Sequence, residues 1–146
     1  MISPRPIRYD QIDLSWIVGR SITDISFLEP AQWRFFLGSS EHIAVECLWR
    51  IVSRERVVRA RDDHHQKFGH PGPVDAAKEA SALLSSRPIV AVDLKEATAD
   101  IHIRFAENLR LEIITNSGGY ESWQLYGPAG ICFVAQGGGQ ICTWSQ

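Results

Sequence analysis

Residues 21–49 read SITDISFLEPAQWRFFLGSSEHIAVECLW and contain three short apolar runs separated by turn-like residues. The second and third runs alternate apolar and polar side chains with a period of two. This alternation is typical of antiparallel strands that place one face on a core. The connection GSSEH, residues 38–42, has the length of a hairpin loop. The stretch therefore predicts a three-stranded meander.

A second stretch repeats this pattern: residues 88–116 read PIVAVDLKEATADIHIRFAENLRLEIITN. The offsets between matching runs are 67, 68 and 66 residues, measured from Ile22 to Ile89, from Trp33 to Ile101 and from Ile43 to Leu109. We interpret the segments of about 21–51 and 88–117 as a pseudo-repeat within a single domain, residues 1–146. The alternative is that two half-buried meanders resemble each other by pattern alone.

The segment between the two halves predicts the main helix, over about residues 73–86. Pro73 suits the first helical position, and Asp75 falls in the first turn, where the helix dipole favours a carboxylate. DAAKEASALL is rich in strong helix formers. The apolar residues recur at helical spacing in one narrow stripe, made of Val74, Ala77, Ala80 or Ser81, and Leu84. Pro88 ends the segment, because the residue before a proline is disfavoured in a helix.

The last third of the chain predicts three more strands, ESWQLY, GICFVA and QICTW, separated by GPAG and GGG. With about nine strands and one main helix, the predicted fold class is α+β. We expect a curved antiparallel sheet in which the two meanders lie side by side and the C-terminal strands extend or close the sheet. An all-β barrel with a helical lid is the alternative.

Composition and charge exclude several classes of protein. The formal net charge is −2, whereas dedicated binders of nucleic acid or acidic membranes carry a basic excess. The N-terminus lacks the apolar run of a signal peptide, and no window approaches the roughly 20 apolar residues of a membrane helix. We expect a cytoplasmic protein that binds neither nucleic acid nor membrane.

Cysteine usage agrees with a reducing compartment. The chain has three cysteines, Cys47, Cys132 and Cys142, and no CxxC motif. A hairpin turning on GGG pairs Cys132 with Trp144 and Val134 with Cys142, which leaves the two thiols out of register for a disulfide. The sequence therefore predicts three buried, reduced thiols.

The segment RDDHHQKFGHPGP, residues 61–73, concentrates acidic residues and histidines. Asp63, His65 and His70 are the candidate metal ligands. Their spacing fits no established ligand pattern, no cysteine lies nearby in sequence, and adjacent His64 and His65 point to opposite sides of an extended chain. We therefore expect no metal and no cofactor.

General acid–base chemistry needs fewer groups. A carboxylate such as Asp63 could orient His64 for proton transfer, since a histidine titrates near pH 6.5. In a strand, Glu121 shares its side with Trp123, so an inward orientation would bury a carboxylate and raise its pKa. The structural alternative is that Asp63 caps the turn, His64 bonds to backbone and Phe68 anchors the loop on the core. The matching alternative for Glu121 is a satisfied core carboxylate or a solvated strand-end residue.

Several motifs together carry a resemblance to a known family. The order DHHQKFGHPGPVDA, a strand pair, NSGGYESWQL, GPAG and GGGQICTW resembles a bacterial family of small uncharacterised proteins, classed as a domain of unknown function. The resemblance spans about residues 19–144. It implies no activity, cofactor or catalytic residue. It leads us to expect glycine where this chain has His65, which counts against a metal role for that side chain.

The sequence contains no nucleophile elbow, phosphate loop, dinucleotide fingerprint or metal-ligand motif. We therefore interpret the chain as a non-catalytic protein-interaction or immunity-type binding protein. The expected binding residues are Gln66, Phe68, His70, Tyr120 and Trp123. The alternative is a small enzyme or ligand binder that uses the Asp63 and His64 loop with Glu121. The expected partner is another protein, and an open sheet edge is compatible with a homodimer.

Overall fold

The computed structural model describes residues 4–145, which form twelve β-strands and one α-helix. The elements are β1 (Arg5–Pro6), β2 (Asp24–Leu28), β3 (Gln32–Phe36), β4 (His42–Val45), β5 (Leu48–Ser53), β6 (Arg56–Ala60), α1 (Ala76–Leu84), β7 (Ile89–Leu94), β8 (Ile101–Phe105), β9 (Leu109–Ile114), β10 (Trp123–Tyr126), β11 (Ile131–Gly137) and β12 (Gln140–Ser145). The predicted α+β class, with antiparallel strands and one main helix, is confirmed.

The strands divide into two antiparallel sheets. The seven-stranded sheet has the order β1-β12-β11-β10-β4-β3-β2, and the five-stranded sheet has the order β6-β5-β9-β8-β7. Both predicted meanders exist, as β2-β3-β4 and β7-β8-β9, but they lie in different sheets. The expectation that they lie side by side in one sheet is therefore corrected.

The chain changes sheets immediately after β4. The amides of Glu46 and Cys47 both donate to the carbonyl of Ser122, at 2.9 and 3.2 Å. The next strand, β5, then pairs with β9 in the other sheet. The alternating pattern specifies which face of each strand is buried but not which strand becomes its neighbour. The pseudo-repeat itself stays a prediction.

One hydrophobic core serves both sheets. Trp33 of β3 meets Trp49 of β5 edge-on, with ring centroids 5.0 Å apart, and Phe35 meets the same indole at 5.5 Å. Trp123 of β10 donates its indole N–H to the carbonyl of Ala99, in the β7–β8 loop, at 2.8 Å. These large rings bury the most apolar area and therefore hold the two sheets together.

Helix α1 packs against β2 and β6, which are edge strands of different sheets. The predicted apolar stripe is buried at Val74, Ala77, Ala80 and Leu84. The helix begins later than expected: Asp75 is its N-cap and accepts a hydrogen bond from the amide of Lys78 at 3.1 Å. Pro73 therefore lies before the helix, because both backbone groups of Val74 bond to the preceding loop. By its position, α1 bridges the two sheets at these strands.

The predicted hairpin register is confirmed, with Cys132 opposite Trp144 and Val134 opposite Cys142. The three cysteines are free and buried. Burial raises the pKa of Cys47 to about 12 and that of Cys132 to about 11. Neither thiol is therefore a ready nucleophile, since the thiolate is the reactive form.

No helix within residues 4–145 has both the length and the apolar character needed to cross a membrane.

Candidate functional site

The histidine-rich segment forms a loop that projects from the start of α1. We define this projecting loop as residues 65–74. Two backbone hydrogen bonds close its base, from the His65 amide to the Val74 carbonyl at 2.8 Å and from the Val74 amide to the Gln66 carbonyl at 2.9 Å. Every residue from 65 to 73 is exposed, whereas Val74 is buried. The loop is thus fixed at its base and displays its tip to solvent.

Asp63 shapes the turn that leads into this loop. One of its carboxylate oxygens accepts hydrogen bonds from the Ala60 amide at 2.9 Å and from the guanidinium of Arg59 at 3.2 Å. The same guanidinium donates to Glu79 of α1 at 2.6 Å. Asp63 is therefore bonded as the structural alternative expects, and it links the turn to the helix through Arg59.

His64 caps the N-terminus of α1. The Ala76 amide donates to Nδ1 of the imidazole at 3.1 Å, so Nδ1 must be unprotonated. The ring packs on Phe27 and Trp33, with centroids 4.7 and 5.0 Å apart. Burial lowers the pKa of His64, and the charge of His65 lowers it further. The geometry and the lowered pKa both favour a neutral imidazole.

The rings of His64 and His65 stack, with centroids 3.8 Å apart and planes 29° apart. The prediction that they point to opposite sides is wrong, because the chain is not extended there: His65 has φ of 66°. Glycine adopts this left-handed conformation more readily than other residues do, because it has no Cβ. The glycine that the family resemblance leads us to expect at this position thus has a physical reason.

The candidate metal ligands Asp63, His65 and His70 are not gathered into a site. Among residues 4–145, no group of three or more His, Cys, Asp or Glu side chains is placed to hold a metal ion. Asp63 is bonded within the turn, and His70 is exposed on the projecting loop.

The second predicted segment contributes no buried carboxylate. Glu121 precedes β10, is exposed, and accepts a hydrogen bond from the side chain of Gln124 at 2.7 Å. Two surface hollows border His64 and His65, and Glu121 lines neither of them. Trp123 is 1% exposed and belongs to the core, whereas Tyr120 is 81% exposed. Of the two expected aromatic binding residues in this segment, only Tyr120 is available at the surface.

Phe68 is the most exposed large apolar side chain in the described residues, at 97%. The alternative in which Phe68 anchors the loop on the core is therefore wrong. The anchors are instead Val74, which is 5% exposed, and His64, which packs on two aromatic rings. Gln66, Phe68 and His70 all lie on the exposed part of the loop.

Sequence reasoning missed the buried carboxylate that the structure does contain. Glu112 of β9 is 3% exposed and accepts hydrogen bonds at 2.6 Å from Nε of both Arg50 and Arg110. Burial alone raises the pKa of Glu112, but these bonds and the two positive charges outweigh it, and the pKa is lowered. The signal was the run LRLEII, whose alternation places Arg110 and Glu112 on the face opposite the core.

The comparisons with known proteins give a family but no activity. A family model described as a family of unknown function (DUF6188) matches residues 13–145. The chain therefore belongs to this family. No curated protein and no solved structure matches it.

Proposed function

We propose that this member of the family is a non-catalytic protein that binds another protein through its projecting loop, with Phe68 as the anchor. The observation that carries the proposal is the 97% exposure of Phe68 at the tip of a loop whose base is fixed. An exposed phenylalanine contributes no burial to folding, whereas aromatic side chains that enter a partner's pocket dominate many interfaces.

The way the loop is held supports a binding role. Its base is closed by two backbone hydrogen bonds, and His64 and Val74 fix that base to the core. A segment that is ordered before association loses less conformational entropy on binding. Lys67 and His70, beside Phe68, would contribute polar contacts at the rim of such an interface.

The bonding of the acid–base candidates supports a non-catalytic role. Asp63 already accepts two hydrogen bonds, and Nδ1 of His64 accepts the Ala76 amide. Glu121 lies in neither hollow beside the histidines. The alternative of an enzyme built from these three residues therefore has less support than a binding protein. A cytoplasmic location also fits the proposal, since three free thiols suit a reducing compartment.

Photocrosslinking tests the proposal directly. A photoreactive phenylalanine analogue replaces Phe68 in the source organism, and the matched control carries it at Val90, which is 50% exposed on the edge strand β7. We expect one protein to be crosslinked from position 68 and not from position 90. That partner, once purified, should bind the wild-type chain and the Val90→Ser variant equally and the Phe68→Ser variant at least about tenfold more weakly.

Equal binding by Phe68→Ser and the wild type would refute the role of the loop. A Tyr120→Ser variant, measured with the same partner, tests whether this second exposed aromatic belongs to the same interface. In the narrower immunity-type form of the proposal, the partner is a toxin. Its expression alone should then arrest growth, and co-expression of this chain should restore it.

A homodimer through an edge strand is a separate proposal with its own observation. Strand β6 forms one edge of the five-stranded sheet and exposes Val57 and Val58 to 55% and 38%. Such an edge can pair with a second copy. Sedimentation velocity should then give a dimer that Val58→Lys dissociates, and a concentration-independent monomer would contradict it.

A further inference from the structure

The face of the five-stranded sheet opposite the core carries a cluster of charged side chains. We call it the arginine face, and its residues are Arg50, His102, Arg104, Arg110 and Glu112. They occupy the alternate positions whose neighbours Ile51, Ile103 and Leu111 are buried in the core. Glu112 lies between Arg50 on one neighbouring strand and His102 on the other. Arg104 lies directly across from Arg110.

Glu112 orients two of the arginines. Its two carboxylate oxygens each accept one Nε–H, from Arg50 and from Arg110, at 2.6 Å. The arginine side chains remain 45% and 37% exposed while the carboxylate beneath them is 4% exposed. Within residues 4–145, the terminal amino groups of these two guanidiniums donate to no protein acceptor. Their N–H donors are therefore held in place and left available to solvent.

Arg104 adds an arrangement that the fold alone does not explain. It lies directly opposite Arg110 on the adjacent strand, and like charges at such positions destabilise a sheet. Arg104 is exposed and forms no ion pair within the described residues. On the neighbouring strand β7, Asp93 lies opposite His102 on the same face and is already bonded to Lys95 at 2.6 Å. An anion placed between Arg104 and Arg110 would relieve their repulsion.

We infer that the arginine face is a docking surface for an acidic polypeptide segment. Three arginines there outnumber the two carboxylates of Glu112 and Asp93, so the face carries an excess of positive charge in a chain whose net charge is −2. A guanidinium with free terminal N–H groups binds carboxylates through paired hydrogen bonds. The antiparallel strands form an open surface, so several carboxylates in a row suit it better than one small anion. This surface is distinct from the projecting loop, and the inference stands without the proposed function.

The test is a titration of the ¹⁵N-labelled protein with hexaglutamate at low ionic strength, followed by NMR. Amide shifts should concentrate on β5, β8 and β9, and the affinity should fall as salt is added, because charge attraction between exposed groups is screened. Arg104→Gln should weaken binding by about tenfold, the usual scale of one charge-assisted hydrogen bond. Because the bonds to Glu112 come from Arg50 and Arg110, this variant keeps the buried carboxylate paired.

The matched control is Arg56→Gln, which removes the same charge at the start of β6, where the side chain is exposed. Compared with Arg104→Gln at about 0.15 M salt, where the Debye length is about 8 Å, it should leave hexaglutamate affinity within about a factor of two of wild type, because charge effects over longer distances are then screened. Equal weakening by Arg56→Gln and Arg104→Gln would overturn the inference, since only general charge would then matter.

Inorganic phosphate is the second probe. If phosphate binds as tightly as hexaglutamate, the face is a small-anion site and the polypeptide assignment fails. Absence of shifts on β5, β8 and β9 also overturns it.

Discussion

Glu112 shows how neighbouring charges can stabilise a buried carboxylate on the outer face of a sheet. Removing a carboxylate from water is costly unless charge and hydrogen bonds compensate for it. Both oxygens of Glu112 are compensated, each by one guanidinium at 2.6 Å. Because those arginines are themselves 45% and 37% exposed, solvent screens the pairs, and their contribution is below that of fully buried ion pairs.

Glu112→Gln should reduce the free energy of unfolding at pH 7 by about 1–2 kcal/mol, between the values for exposed and buried ion pairs. The folded-state pKa of Glu112 is lowered, so its stabilisation is complete above the unfolded pKa of about 4.3 and is lost as pH falls through the folded pKa. Urea denaturation at pH 7 and pH 3 should therefore show a difference between variant and wild type that shrinks in acid.

The control is Glu107→Gln, which removes a carboxylate from the exposed ion pair with Arg87 at 3.4 Å. Exposed pairs contribute about 0–1 kcal/mol, so this variant should change little at either pH. A loss at Glu112 that did not depend on pH would contradict the assignment to charge.

His64 predicts a second pH dependence of stability, at higher pH than that of Glu112. Its neutral ring accepts the Ala76 amide, and a proton on Nδ1 would remove that bond and place a cation at the positive end of α1. Burial and the adjacent His65 lower the pKa of His64, while Asp75 and Glu29 oppose them. Stability from this group is therefore complete above about pH 6.5, the unfolded value, and declines as pH falls towards the lowered folded pKa.

The matched variant is His64→Asn, which keeps an acceptor near the Ala76 amide but does not titrate in this range. Thermal unfolding between pH 7.5 and 5 should show a smaller drop in melting temperature for His64→Asn than for the wild type. If the melting temperature falls equally with pH in both proteins, another histidine is responsible for the effect.

Sequence patterns predict the positions of some side chains and not of others. The register of Cys132 and Cys142 followed from the length of the GGG turn, because a hairpin's loop fixes its pairing. The stacking of His64 on His65 did not follow, because it depends on one positive φ in a loop. The pairing of Glu112 did not follow either, because one of its two partners, Arg50, is far away in sequence and becomes its neighbour only across strands.

At the scale of elements, α1 depends on its first turn more than on its length. The helix has nine residues, which is too short to be stable alone in water. Two side chains satisfy amides at its start, Asp75 at Lys78 and His64 at Ala76. Its buried stripe then fixes it across the edges of both sheets. Capping and packing therefore act together.

Asp75→Ala should lower the free energy of unfolding by about 1 kcal/mol, the usual cost of removing an N-cap acceptor. The control on the same helix is Lys78→Ala, which changes an exposed side chain and leaves the bonded Lys78 amide in place. Chemical denaturation of both variants measures the difference. If Lys78→Ala costs as much as Asp75→Ala, the cap contributes nothing of its own.

The sequence pattern predicts the strands that alternate regularly, whereas it indicates the hairpin of β5 and β6 only in part. The run RIVSRERVVRAR, residues 50–61, suggested a solvated face because of its arginines. In the structure its β5 half lies between β6 and β9 and is buried at Ile51 and Val52, while β6 is an edge strand. Arginines on the outer face of β5 interrupt the apolar pattern in the sequence, although the other face of the strand packs on the core.

At the scale of the whole molecule, the division into two sheets could not be predicted from periodicity. Each strand's pattern states that one face is buried, and both a single curved sheet and two sheets around one core satisfy that condition. The deciding contacts are long-range, such as Trp33 on Trp49 and Trp123 on the Ala99 carbonyl.

Another such contact joins the β11–β12 turn of one sheet to the β7–β8 loop of the other. Gly139 has φ of +85°, and a Cβ on it would lie 1.7 Å from the carbonyl oxygen of Ala97. Its own carbonyl also accepts a hydrogen bond from the hydroxyl of Tyr9 at 2.6 Å. The turn can therefore approach this loop only if position 139 has no side chain.

Gly139→Ala tests this contact against a matched control, Gly69→Ala. Gly69 also has a positive φ, of +76°, but nothing lies within 4 Å of a Cβ placed there. The control should cost about 1–2 kcal/mol from the left-handed backbone alone. Gly139→Ala should cost that amount and about 1–3 kcal/mol more, because the added methyl overpacks the contact between the sheets. Urea denaturation measures both losses, and amide shifts should spread to Ala97 and Tyr9 only in Gly139→Ala. Equal losses in the two variants would mean that the sheets do not depend on this close approach.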